Sequence, residues 1–137
     1  DSNGCTLLDM ALQKNNEKLL IFLLKKGAMF NRISTFYHSY AKLTMSPLTF
    51  ACCYKSLHMA TILINARGVN LDLTNPDGTT ALIASIKLNL EQVSCKLITA
   101  GANPYIENNY GESASTDHIT SDIILKAVRN IEMVLVT

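Results

Sequence analysis

The sequence has almost no net charge: twelve Lys and Arg stand against eleven Asp and Glu, a formal +1. A nucleic-acid binder draws its affinity from concentrated basic side chains that neutralise phosphates, and none are concentrated here. Dividing the chain recovers no such field, since residues 1–45 carry +3 and residues 46–137 carry −2. Aromatic residues are sparse at 7%. No apolar run approaches the roughly 20 residues of a membrane-spanning helix, so membrane insertion is not expected. The six glycines stand singly, and none forms Gly-x-Gly-x-x-Gly or a Walker pattern, so no nucleotide cofactor is expected.

Motifs for metal and covalent chemistry are also missing. Cys5, Cys52, Cys53 and Cys95 include no Cys-x-x-Cys pair, and no His-x-x-x-His accompanies them, so no metal site is expected. Their apolar or helical settings suit reduced, packed thiols in an intracellular protein, with Cys52 in the core and Cys53 at the surface. His38, His58 and His118 are scattered one per segment, with no serine–histidine–acid arrangement among them. The expectation is therefore a protein that is not an enzyme. The chain opens on Asp1 rather than a methionine, as a segment of something longer would.

What is present is a Leu/Ile/Ala-rich composition, 48% apolar and 17% charged, in 137 residues. That is enough for one domain with a core, built mainly of helices. The chain also repeats. Asn3-Gly4, Asp77-Gly78 and Tyr110-Gly111 mark turns, and Gly78 to Gly111 is 33 residues. Gly27-Ala28, Gly68-Val69 and Gly101-Ala102 mark helix ends, spaced 41 and then 33, so eight extra residues fall inside the second unit. The spacing divides the chain into units of about 1–33, 34–74, 75–107 and 108–137, with an inserted loop at 32–45.

Within the first unit Thr6 is placed to cap a short helix, Asn15-Asn16 breaks it, and Glu17 to Lys26 forms a second helix ended by Gly27. In the second, Ser46-Pro47 starts a helix over Pro47–Tyr54, another runs over about Leu57–Asn65, and Arg67 is the remaining inserted residue. The third unit, with its break at Asn89, has no insertion. The last unit decays: Ser121-Asp122 could cap a helix through Ile131, followed by an apolar Met133–Val136.

A 33-residue unit with turn-Gly-x-Thr-Pro-Leu, a small-residue helix, a break, a Leu-rich helix and Gly-Ala resembles the ankyrin repeat. The matching residues are Gly4-Cys5-Thr6-Leu7-Leu8 with Gly27-Ala28, Ser46-Pro47-Leu48 with Gly68, and Gly78-Thr79-Thr80-Ala81-Leu82 with Gly101-Ala102. The resemblance implies an all-α solenoid of stacked helix-turn-helix units with projecting turns. It departs from the family pattern in two respects. Pro survives only at Pro47, and the histidine after Thr-Pro-Leu is replaced by Asp9, Thr49, Ile83 and Thr116. The histidine in that pattern links neighbouring loops, so an array without it is expected to be less stable than a consensus-like one.

The resemblance also implies a function: a non-catalytic module that binds another protein, or a peptide segment of it, through its concave face, its turn tips and the 32–45 loop. Alternatives are a regulatory or targeting segment of a larger enzyme or channel, and a self-association module. Flanking domains in the same chain and a cytoplasmic or nuclear location go with that reading. By position, the binding surface would draw on Phe36, Tyr37, His38 and Tyr40 in the insert, three of them among the chain's nine aromatics; the alternative is that these fold under the loop as a satellite cluster. It would also draw on Tyr54, on Asp77 and Thr79, on Lys87 and Leu88, and on Tyr110. Further variable positions are Ser2, Asn3, Cys5, Gln13, Lys14, Cys53, Asn109 and Glu112.

Overall fold

The computed structural model describes residues 6–116 together with residue 129. The first turn with Ser2, Asn3, Gly4 and Cys5, and the later His118, lie outside the described residues. So do the expected Ser121-Asp122 cap and the Met133–Val136 tail.

Among the described residues, six α-helices occur as three consecutive pairs: α1 (Leu7–Gln13) with α2 (Glu17–Lys25), α3 (Pro47–Tyr54) with α4 (Leu57–Ile64), and α5 (Ala81–Lys87) with α6 (Glu91–Ala100). Each first helix starts where a hydroxyl can take an orphan N–H. Thr6, Ser46 and Thr80 accept from Asp9, Thr49 and Ile83 respectively. Asp9 completes a capping box by accepting from the Thr6 N–H at 2.9 Å. Asn16 and Ser56 cap the second helices of units one and two, whereas Leu90, which starts α6, supplies no side-chain cap. Asn15 and Asn89 make the breaks at φ 56° and 58°, a left-handed turn that asparagine tolerates better than most residues.

Pairs stack like on like: α1 meets α3, α3 meets α5, and α4 meets α6. Between the layers lie Leu8, Leu12, Leu20, Leu48, Phe50, Leu63, Leu82 and Leu97, all nearly or fully buried. Each contributes about 1.5–3 kcal/mol of transfer free energy when removed from water. A polar thread crosses the third pair, where Ser85 and Ser94 hydroxyls meet at 2.8 Å and each donates to a helix carbonyl or to the other. Neighbouring turns are tied by backbone and asparagine contacts. Ser46 N–H donates to Asn75 Oδ1 at 3.0 Å, and Asn109 N–H donates to the Asp77 carbonyl at 2.8 Å. The positions that replace the family histidine do not serve this purpose: Asp9 and Thr49 bond within their own helix caps, and Ile83 is apolar.

The insert is not a loop, which corrects the expectation for residues 32–45. Ser34–His38 (β1) and Ala41–Met45 (β2) pair antiparallel in full register from Ser34↔Met45 to His38↔Ala41. The described part of the helical solenoid therefore carries a two-stranded sheet. Ile33-Ser34-Thr35-Phe36-Tyr37 is a β-branched and aromatic run of the kind that fits a half-buried strand. The two residues of its turn, Ser39 and Tyr40, lie at φ 49° and 69°, the both-positive pattern of the tight turn that matches strand twist.

Candidate functional site

The hairpin is pinned by one aromatic face and one amide. The Phe36 ring stacks on Phe50 of α3 at 4.1 Å and 6°. Phe50 leads to Tyr54 at 5.7 Å, and Tyr54 meets His38 at 5.0 Å, so a ladder of rings runs from the core to the hairpin tip. At the end of α1, Gln13 Oε1 accepts from the Tyr37 N–H at 2.9 Å, and Gln13 Nε2 donates to the Tyr37 carbonyl. Lys55 braces the same corner: its ammonium donates to the Gln13 carbonyl at 3.0 Å and sits 5.4 Å from the Phe50 ring centre. Partial burial lowers its pKa.

Two expected contact residues are thereby corrected. Phe36 has no exposed surface, because hydrophobic stacking on Phe50 holds it under the sheet. Thr79 is only 9% exposed, since its hydroxyl accepts from the Asn108 amide of the next turn at 3.3 Å. Gln13, expected as a variable surface residue, is committed to the hairpin. Cys53 is half-buried rather than at the surface, and burial pushes its thiol up to about 12. Cys52 is fully buried and its thiol is raised further, by burial first and by its neighbour second. Neither sulfur is an activated nucleophile, which requires a lowered pKa.

The remaining positions fall in three places. Tyr54, Asp77, Lys87 and Leu88 gather with the Thr79 edge around a groove of about 440 Å³ between the hairpin and the third unit. Thr44, Met45 and Pro76 are among its other walls, and Cys53 also lines it. Sequence spacing did not assign these three, though Met45 directly precedes Ser46-Pro47 and Pro76 directly precedes Asp77-Gly78. Tyr37, His38 and Tyr40 are exposed on the hairpin, Tyr40 entirely so at 108%. Tyr110 is exposed on the following turn, where its N–H donates to Asn108 Oδ1. Lys87 is paired with Glu112 at 2.9 Å. The Asn108 amide and then the Lys87 ammonium hold the Glu112 carboxyl below its usual range.

Among the described residues, no three His, Cys, Asp or Glu side chains cluster in a way that could hold a metal ion. No helix among them is long and apolar enough to cross a membrane. The groove presents an exposed Leu88 and the half-buried Tyr54, with Asp77 and Lys87 also on its lining.

No protein-family model and no curated protein matches the sequence. Solved structures do. The ankyrin repeat domain of Bcl-3, described as a unique member of the IkappaB protein family, superposes with a TM-score of 0.74 at 22% identity over 88% of this chain. An ankyrin repeat domain from Acinetobacter baumannii AYE superposes with a TM-score of 0.73 at 27% identity over 93% of it. This chain spans 51% of the first neighbour and 66% of the second, less than two thirds of either.

Proposed function

We propose that the chain, whose fold is that of ankyrin repeat domains, is a non-catalytic binding module, since such domains are generally protein–protein interaction modules. The groove between the hairpin and the third unit holds a segment of a partner protein. The observation that carries this reading is the convergence of Tyr54, Asp77, Lys87 and Leu88, four positions separated by up to 34 residues, on one cleft of about 440 Å³. Leu88 is half exposed there although it lies directly after a helix whose other face is core. An exposed leucine beside a tyrosine, rimmed by Asp77 and Lys87, has the apolar centre and polar border of a protein interface.

A rigid stack suits this role because the binding surface is formed before the partner arrives, which lowers the ordering cost of association. The test uses a displayed random dodecapeptide library selected on the whole chain. Enriched peptides are expected to lose about tenfold or more in affinity on Leu88→Ala, as interface anchors do, with an unchanged melting temperature, and on Tyr54→Ala, measured well below a melt that falls because Tyr54 also stacks on Phe50 and His38. Peptides that bind indifferently to both changes would overturn the assignment of the groove.

A further inference from the structure

The outer edge of β2 is an unpaired strand edge among the described residues. A two-residue turn makes its closing pair, His38↔Ala41, hydrogen-bonded, and by alternation Phe36↔Leu43 and Ser34↔Met45 are bonded too. The residues between them turn their N–H and C=O groups away from the partner strand. On β1 those of Tyr37 are taken by the Gln13 amide, which acts as a short stretch of neighbouring strand. On β2 the outward groups of Lys42 and Thr44 meet no hydrogen-bond partner among the described residues. Both residues are exposed, and Thr44 stands on the wall of the groove.

We propose that β2 receives an extended segment of a partner protein as a third strand, with the segment's backbone bonded to Lys42 and Thr44. This rests on the reading that the groove binds protein, and specifies how. Two donor–acceptor pairs on alternate residues lie about 7 Å apart, a repeat that only another extended backbone supplies. A helix has already satisfied its own N–H and C=O groups and cannot match it. Side chains alternate along the added strand. Its residue across from Leu43 faces inward, toward Met45, Tyr54 and Leu88, and is apolar; its residue across from Lys42 faces solvent. Lys42 has no ion pair among the described residues, so an acidic residue in that place completes a cross-strand pair. A second copy of this chain fits less well. Pairing β2 with another β2 through the same outward groups puts the two Lys42 side chains opposite or diagonal on one face, where like charges repel.

The dodecapeptides selected on the whole chain also supply the probe here, measured by amide hydrogen exchange and by titration of a version N-methylated at alternate amides. Bound peptide is expected to slow exchange at Lys42 and Thr44 about tenfold or more, and N-methylation to weaken binding by a similar factor with every side chain kept. Thr44→Pro removes only an outward N–H, a change that edge strands accept, and is expected to lower affinity while leaving the melt unchanged. Peptides that need Tyr54 and Leu88 yet leave Lys42 and Thr44 exchanging freely would overturn strand addition and leave the groove reading standing. Selection of no groove-dependent peptide would remove both. A dimer in sedimentation with protected β2 amides would assign the edge to a second copy and overturn the partner assignment.

Discussion

Gly78 shows how a single residue without Cβ sets the distance between turns. It lies at φ +82°, and a Cβ there would stand 3.0 Å from Asn109 Oδ1 and 3.1 Å from the Asn108 Cα and Asn109 nitrogen. Gly27 has the same φ but open space around it. Gly78→Ala should therefore cost about 2–3 kcal/mol in urea unfolding, and Gly27→Ala only about 1 kcal/mol, the left-handed penalty alone. Equal costs would mean that the close approach of the turns is not maintained in solution. Glu112 works on the same contact through charge. Its folded pKa is depressed below the ordinary value of 4.5, so the folded protein binds fewer protons than the unfolded chain. The stabilisation is complete above that ordinary value and is lost as pH falls through the folded pKa. Glu112→Gln should flatten this part of the stability–pH profile, measured by urea midpoints across the acid range.

At the scale of the element, the hairpin is held by a core ring and a helix-end amide but closed by a poor turn. Ser39 and Tyr40 occupy positive-φ positions that Asn-Gly fills with less strain. Replacing Ser39→Asn together with Tyr40→Gly should raise stability by about 1 kcal/mol. If the fully exposed Tyr40 contacts the partner segment, the same pair of changes should weaken peptide binding, so melting temperature and affinity move in opposite directions. The turn also explains what was legible in the sequence. Helices were readable because Thr6, Ser46, Thr80, Asn15, Asn89 and the helix-ending glycines act locally, within one turn of the residues they organise. The strands were not, because the usual Asn-Gly signal is absent and Ser39-Tyr40 does not announce a hairpin; the Ile33–Tyr37 run was the available clue. Site positions were half legible. Tyr54 and Leu88 could be placed by their repeat phase, whereas the burial of Phe36 and Thr79 depends on Phe50 and Asn108, partners 14 and 29 residues away.

For the molecule as a whole, the hairpin adds to the contacts that join the first unit to the stack. Units two and three meet along both helix layers, α3 on α5 and α4 on α6. Units one and two meet less directly. The α1–α3 contact is supplemented by β1, which touches both α1 and α3, with Gln13 holding one side and Phe36 on Phe50 the other. In a repeat protein stability is close to a sum of unit and interface contributions, so weakening one interface separates the parts on either side. The intact chain should unfold in one transition. Phe36→Ala leaves a cavity beside Phe50 and should cost about 3–5 kcal/mol, but its informative effect is on cooperativity. Amides of α1 and α2 should then exchange through an opening that leaves α3 to α6 protected, and helical and aromatic signals should no longer melt together. If all six helices still open as one after that change, the α1–α3 contact and the bonds joining Glu17 to His58, Gln13 to Lys55 and Asn31 to Gly68 and Asn70 suffice to couple units one and two. The hairpin would then serve the groove without also joining the stack.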